Sequence, residues 1–189
     1  MDWLCHFLKK KLDLYSKKKM VTLGLDISTS CVGYAFTEDK KILDMGFIDI
    51  KKFKNHKEKA FYVLTHINES SYIDDIEKVY VEDNLSGFSG GRTSQQVIVK
   101  LAKFNAVLCY VIEDTFDIEV KNIHPMTARK QAFGKARVKG VKAKDFVKRQ
   151  VEELYDTEKW CKTTTRGNWD KRNIDAYDGL VMSLFEEKG

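Results

Sequence analysis

Cysteine is scarce in this sequence. The chain has 189 residues and four cysteines, and no two of them lie close enough to form a C-x-x-C motif. That spacing excludes the usual two-cysteine metal or redox site. The four cysteines are Cys5, Cys31, Cys109 and Cys161.

Long apolar runs are missing as well. No stretch approaches the roughly 18 apolar residues that a membrane span needs. The short apolar segment at residues 3–8 is too brief for the core of a secretory signal. We therefore expect an intracellular protein of a reducing compartment, with no membrane partner.

Charge of either sign is not in large excess, but the positive charge is unevenly placed. The formal net charge is +5, from 33 basic and 28 acidic residues. Nine Lys or Arg and a single acid, Asp145, lie between Arg129 and Arg149. Such a patch suits a polyanion such as nucleic acid, although a solvated lysine-rich surface gives the same pattern. The apolar content of 43% suits one globular domain with a full hydrophobic core.

Residues 1–19 differ in composition from the rest of the chain. They carry six lysines in two triplets, and apolar residues recur among them at helical spacing. Two interpretations stay open: a basic arm that contacts DNA, or a dispensable leader ahead of a start at Met20. In both cases we expect one domain at residues 20–189.

The order of predicted elements indicates an α/β fold. Three strand-like segments at 21–27, 32–37 and 41–50 follow one another closely and predict an antiparallel meander. Two further strands, at 78–82 and 118–123, are each preceded by a helical pattern, which predicts parallel additions to the sheet. The only proline, Pro125, follows the last strand. We expect a mixed five-stranded sheet with helices on both faces and a last helix over 174–187.

Acidic residues end two of these strands and recur on the last helix. Asp26 ends the first strand and Glu82 the fourth, so both carboxylates should project from one edge of the sheet. Asp175 and Asp178 are three residues apart, roughly 60° around a helix, and can reach the same edge. Four converging carboxylates repel one another without cations and are suited to two Mg²⁺ ions. Such a pair of ions hydrolyses phosphodiesters.

The same segments resemble a known family. GLDISTSCVGYAF resembles the first motif of RuvC-type Holliday junction resolvases, which have the RNase H-like fold. KVYVEDNLSGFSGGRTSQQVIVKLAKFNAVL resembles their second acidic strand, loop and long helix. IHPMTARKQAFG resembles the segment after their fifth strand, and NIDAYDGLVMSLF resembles their closing helix. The ordered set spans about residues 20–187.

The resemblance implies roles for individual residues. Asp26, Glu82, Asp175 and Asp178 look like a metal-binding catalytic tetrad for two Mg²⁺ ions, with Mn²⁺ as a substitute. Lys144 matches a family lysine that stabilises charge on the scissile phosphate. Arg129, or Lys130 in its place, matches a position after the fifth strand where the family often has lysine. Further DNA contacts are expected from Phe88, Arg92, Arg129, Lys130, Lys135, Arg137, Lys139, Lys142 and Lys148.

The resemblance also implies a substrate and an assembly, and it has one clear departure. Members of the family cut four-way DNA junctions symmetrically as homodimers and leave 5′-phosphate ends. Some bacterial members place an aromatic residue three positions after the glutamate, where this chain has Leu85. Phe88 follows in a Gly/Ser loop and is the alternative wedge against unstacked bases.

Three other functions stay open at this point. An actin or sugar-kinase phosphate loop also reads as strand, D-x-S-T and strand, but those proteins need two such domains. Another RNase H-like nuclease would act on flaps, branched DNA or RNA–DNA hybrids. A DNA-binding module without catalysis would retain the acids only by chance.

Overall fold

The described part of the chain, residues 19–83 and 95–187 of a computed structural model, contains one five-stranded sheet. The strand order is β3-β2-β1-β4-β5. The strands are β1 (Val21–Ile27), β2 (Cys31–Glu38), β3 (Lys41–Asp49), β4 (Ile76–Glu82) and β5 (Val120–Ile123). Leu85, Phe88, Arg92 and residues 1–18 lie outside the described residues, so the expectations for them stay predictions.

The predicted mixture of strand directions is confirmed. β1 pairs antiparallel with β2, and β2 pairs antiparallel with β3. Asp39 and Lys40 both have positive φ and form the tight turn between β2 and β3. β4 adds to β1 in parallel, and β5 adds to β4 in parallel. The carboxyl ends of β1, β4 and β5 therefore share one edge of the sheet.

Helices cover both faces of the sheet, as the sequence predicts. The described helices are α1 (His56–Asn68), α2 (Gln95–Phe116), α3 (Pro125–Phe133), α4 (Ala143–Leu154) and α5 (Asn173–Ser183). α1 and α2 pack with Val21, Leu23, Leu25 and Ile27 of β1 in one core. α3, α4 and α5 form a second core on the opposite face, around Tyr80 and Tyr177. Alternate residues of β1 thus face opposite layers, and Asp26 faces α5.

Two glycines let α5 lie directly on the sheet. A Cβ atom on Gly24 would come within 2.2 Å of the Gly179 carbonyl oxygen, and one on Gly33 within 1.8 Å of the Asp175 carbonyl oxygen. No other residue type fits at such a distance from backbone atoms. Because Gly33 pairs with Asp26 across β1 and β2, this close approach brings the start of α5 to the edge that carries Asp26.

Three element boundaries differ from the predictions by two residues or more. β4 begins at Ile76, two residues earlier than expected. β5 begins at Val120, two residues later than expected. α5 ends at Ser183, not near residue 187. The chain beyond α5 is held by α3, because the Gln131 side chain donates to the Glu186 carbonyl and accepts from the Glu186 backbone N–H. Backbone groups satisfied in this way do not need further helical turns.

The expectation that no segment resembles a membrane span needs correction for α2. This 22-residue helix is, in the described part of the chain, the one that is long and apolar enough to cross a membrane by length and composition alone. Helices in the core of a globular protein can have the same length and apolar composition. Leu101, Phe104, Leu108 and Ile112 of α2 are buried against the sheet and α1, as in a core helix.

Candidate active site

Asp26 and Glu82 lie side by side at the carboxyl edge of the sheet. Leu25 pairs with Val81, which places the next residues of β1 and β4, the two acids, as neighbours. Both side chains are partly buried. The chain turns sharply after Asp26, because the Ser28 hydroxyl donates to the Cys31 carbonyl and accepts from the Cys31 backbone N–H. This turn joins β1 to β2 over the short gap between the first two predicted strands.

The start of α5 brings the other two acids to this edge. Asp178 is 4% exposed, so its carboxylate is removed from bulk water. Asp175 is partly buried, and its backbone lies against Gly33. The Coulomb interactions of Asp26 with Glu82, Asp178 and Asp175 show that the structure brings all four predicted acids together.

Two cations contact the acidic group. The Lys144 ammonium lies 3.0 Å from an oxygen of Asp175, and the Arg129 guanidinium lies 3.4 Å from an oxygen of Asp178. Arg129 is buried here, with 12% of its side chain exposed, whereas 62% of the Lys144 side chain is exposed. Lys144 therefore reaches from the surface of α4 to the acids, where it can also contact an incoming phosphate.

Burial and mutual repulsion disfavour the ionised form of three of the four acids. Burial, and then the charges of Glu82, Asp178 and Asp175, hold the pKa of Asp26 well above its usual range. Burial raises the pKa of Glu82 to about 7, with a further contribution from Asp178. Burial also raises the pKa of Asp178, although Arg129 and Lys144 oppose that shift. For Lys144, the nearby carboxylates outweigh its own burial and raise its pKa.

The donor chemistry of this cluster fits divalent cations. Four carboxylates supply hard oxygen ligands, and the buried Oε2 atom of Glu82 has no hydrogen-bond partner among the described residues. Within residues 19–83 and 95–187, no group of three or more His, Cys, Asp or Glu side chains is spaced to hold an ion as it stands. Lys144 and Arg129 supply positive charge beside two of the acids in this arrangement.

The raised pKa of Glu82 predicts a pH-dependent stabilisation by metal. An ionised Glu82 costs stability in the folded protein, so the stability gained by its protonation is full below pH 4.5 and is lost as pH rises through about 7. A divalent cation offsets that loss only where the carboxylates are ionised. Mg²⁺ or Mn²⁺ should therefore raise the melting temperature more at about pH 8 than at about pH 5.5.

Thermal unfolding with EDTA or with excess Mg²⁺ at the two pH values measures this effect. Glu82→Gln is the matched variant, since it removes the titrating group and should reduce the difference between the two pH values. An equal metal-induced shift at both pH values in the wild-type protein would contradict the assignment of Glu82 as a ligand.

The predicted DNA-contacting residues fall into two groups. Lys130, Lys135, Arg137, Lys139 and Lys142 are exposed on or between α3 and α4. Arg129 and Lys148 instead contact other side chains of the protein. Arg129 pairs with Asp178. The Lys148 ammonium lies 3.8 Å from an oxygen of Glu152 and 4.2 Å from the centre of the Trp169 ring. The surface beside the acids is therefore basic on its α3 and α4 side.

Several residues that hold the acids in place were not predicted from the sequence. The buried Lys59 ammonium donates to the Thr29 carbonyl and so ties α1 to the turn after Asp26. Burial lowers the pKa of this lysine. The thiol of Cys31 is buried beside Asp175, and burial followed by that charge raises its pKa. No local pattern predicts the contact of Lys59 with Thr29 or that of Cys31 with Asp175, because each joins segments that are distant in the chain.

Arg172, a third missed residue, fixes the beginning of α5. Its guanidinium lies 2.6 Å from an oxygen of Asp170 and 2.6 Å from an oxygen of Asp49 at the end of β3. The Arg172 carbonyl accepts a hydrogen bond from the Asp175 backbone N–H. The sequence offered one signal for this network, an acid two residues before an arginine at a predicted helix start.

Comparison with known proteins identifies the fold. No protein-family model and no curated protein matches the sequence. A structure of RuvC from Thermus thermophilus is similar over 87% of this chain and 92% of its own, with 17% identity and a TM-score of 0.58. A structure of T. thermophilus RuvC in complex with Holliday junction substrate is similar over 87% of this chain and 90% of its own, with 14% identity and the same TM-score. The chain therefore has the mixed α/β, RNase H-like fold of RuvC.

Proposed function

We propose that this protein is a metal-dependent endonuclease that resolves four-way DNA junctions. The observation that carries the proposal is the convergence of Asp26, Glu82, Asp175 and Asp178 at one sheet edge, beside Lys144 and Arg129. A shared fold alone does not assign an activity. Here the fold occurs together with a carboxylate cluster whose chemistry suits phosphodiester hydrolysis.

The acids would hold the cofactor, which we propose to be two Mg²⁺ ions, replaceable by Mn²⁺. Bound there, divalent cations supply an activated water and stabilise the leaving oxygen during hydrolysis. The rigid ends of β1 and β4 hold Asp26 and Glu82 in fixed positions, and the contact of α5 with Gly33 fixes Asp175. This rigidity matters because catalytic ligands lose effect when misplaced by about 1 Å.

The basic residues divide between the reacting phosphate and the remainder of the DNA. Lys144 is both exposed and 3.0 Å from Asp175, so it can stabilise negative charge that develops on the phosphate. Arg129 is buried against Asp178 and compensates the charge of that carboxylate. Lys130, Lys135, Arg137, Lys139 and Lys142 would contact phosphates farther from the cut and position the DNA.

Symmetric cleavage requires two active sites, so we propose a homodimer. The outer side of α2 offers apolar surface for it, because Val99 and Tyr110 are 50% and 65% exposed and lie on the helix face opposite the buried residues. Leu101, Phe104 and Leu108 of the same helix pack in the core and are not part of this surface. In the proposed dimer, each protomer would cut one of two opposing strands.

A panel of labelled substrates tests the proposed activity. A synthetic four-way junction, a matched duplex, a 5′ flap and an RNA–DNA hybrid are incubated with the protein and Mg²⁺. We expect paired nicks at symmetric positions in the junction, with 5′-phosphate ends, and little cutting of the duplex. Preferred cutting of the flap or the hybrid would assign a different nuclease activity to the same site, and no cutting of any substrate would refute the proposal.

A further inference from the structure

A short basic hairpin precedes the helix that carries Asp175 and Asp178. We call residues 162–172 the basic hairpin. Thr163 and Trp169 form an antiparallel bridge, and the Asp170 backbone N–H donates to the Lys162 carbonyl. Gly167, at φ +77°, closes the turn by donating to the Thr164 carbonyl. The elements predicted from the sequence leave this segment unassigned, ahead of the last helix.

Buried contacts hold the base of the basic hairpin in place. The Asn173 side chain, on a residue that is 2% exposed, accepts from the Lys162 backbone N–H and donates to the Lys162 carbonyl. The Trp169 ring lies 6.2 Å from the ring of the buried Tyr177. Arg172 joins Asp170 to Asp49 of β3. A loop anchored in this way can present its tip in a defined direction.

The basic hairpin lies beside the candidate active site, between α4 and β3. On one side, Lys148 of α4 lies over Trp169. On the other, the Lys162 ammonium and the Arg172 guanidinium lie 4.7 Å and 4.6 Å from the centre of the Phe47 ring. Phe47 pairs with Gly33, which in turn pairs with Asp26. The Phe47 ring is therefore directly across two strands from Asp26.

The exposed surface of the basic hairpin is positively charged. Between residues 162 and 172 there are four basic residues and one acid, Asp170, which is buried and paired with Arg172. Arg166 at the tip and Lys171 near the base are exposed. Residues 163–165, three threonines, are exposed as well and add hydroxyl donors. Arginine, lysine and threonine side chains of this kind are the usual donors to DNA phosphates.

We propose that the basic hairpin is a second DNA-binding surface, which holds the phosphate backbone on the β3 side of the acids. The basic residues of α3 and α4 would hold DNA on the other side, so the reacting phosphate would lie between two basic surfaces. This proposal rests on the proposed function, because it assigns the partner of that same site. The contact of Lys148 with Trp169 makes the two surfaces continuous.

Binding of DNA in the absence of cleavage tests the proposal. Affinity for a fluorescent four-way junction and for a duplex is measured without divalent metal, over a series of salt concentrations. For the double variant Arg166→Ala, Lys171→Ala we expect roughly tenfold weaker junction binding, and a salt slope smaller by about 2, because two phosphate contacts are lost. The single-turnover cleavage rate at saturating protein should change little.

Two further variants control this measurement. Lys41→Ala removes an exposed lysine at the amino end of β3, the opposite edge of the sheet, and should leave affinity and salt slope unchanged. The charge-preserving pair Arg166→Lys, Lys171→Arg should retain wild-type affinity. Melting temperatures of all variants show whether each one folds as the wild type does.

Each outcome separates this proposal from the proposed function. If the wild type cuts junctions while the double variant binds them as Lys41→Ala does, the hairpin proposal is overturned alone. If the wild type binds DNA through the basic hairpin but cuts no substrate, the proposed function fails and the hairpin proposal stands. If the wild type binds no DNA, both fail.

Discussion

Asp26→Asn should reduce junction cleavage by about 1,000-fold or more, because it removes a charged ligand from the carboxylate cluster. The variant should bind a four-way junction as tightly as the wild type, since Asp26 is partly buried and its charge acts on Glu82, Asp175, Asp178 and Lys144. Single-turnover cleavage measures the first effect, and binding without divalent metal measures the second.

The same substitution should raise the stability of the metal-free protein. Burial and the charges of Glu82, Asp178 and Asp175 all disfavour an ionised Asp26, which is why its pKa is raised. An uncharged asparagine removes these costs, and each kcal/mol so relieved is worth about 2–4 °C in melting temperature for a domain of this size. We therefore expect a higher melting temperature in EDTA together with lost activity.

Asp117→Asn is the matched control for both measurements. Asp117 is exposed after α2 and has a φ of 54°, a conformation that asparagine also tolerates. We expect wild-type cleavage and stability from it. Normal cleavage by Asp26→Asn, or a clear loss of stability in EDTA, would show that Asp26 is a structural residue and not a metal ligand.

Gly33→Ala should strongly reduce both the stability of the fold and junction cleavage. The new Cβ would lie 1.8 Å from the Asp175 carbonyl oxygen and 2.1 Å from its carbonyl carbon, which are backbone atoms of α5. Either the protein loses about 3 kcal/mol or more of its unfolding free energy, or α5 moves away from the sheet. Because Asp175 and Asp178 move with α5, cleavage should fall by about 100-fold or more.

Gly46→Ala provides the comparison within the same sheet. The three atoms nearest to a Cβ at Gly46 would all belong to the Tyr34 side chain, the nearest at 2.9 Å, and a side chain can adjust where backbone cannot. We expect a loss of about 1 kcal/mol or less and nearly normal cleavage. Chemical denaturation and single-turnover cleavage of both variants test the pair. Equal losses of stability and cleavage in Gly33→Ala and Gly46→Ala would contradict the close packing of α5 on β2.

The sequence was sufficient to predict the sheet and its acids. Asp26 and Glu82 each follow a short run of β-branched and apolar residues, and the helical patterns between strands require parallel additions to the sheet. Both signals are local and can be read from the sequence. Because parallel strands end at the same edge of a sheet, they predict that the two acids share one edge. The helical spacing of Asp175 and Asp178 likewise predicts a pair on one helix, although it did not show that Asp178 is buried.

The contacts that organise the site could not be predicted in the same way. The approach of Asp175 to Gly33 and the pairing of Arg129 with Asp178 join segments that are far apart in the chain, and no local pattern encodes such distances. The basic hairpin has no signal of its own in the sequence, because threonine, arginine and asparagine are typical of irregular loops. Its order comes from Asn173 and Tyr177, which belong to the next helix.

The proposed metal-dependent resolving site is tested most directly by cleavage of one labelled four-way junction by the wild-type protein, with Mg²⁺ and with EDTA. We expect paired nicks at symmetric positions on two opposing strands when Mg²⁺ is present, and intact strands when EDTA replaces it. Cleavage that persists in EDTA, or an intact junction in Mg²⁺ under conditions where the protein binds it, would contradict the assignment of the sheet-edge acids as a metal-dependent resolving site.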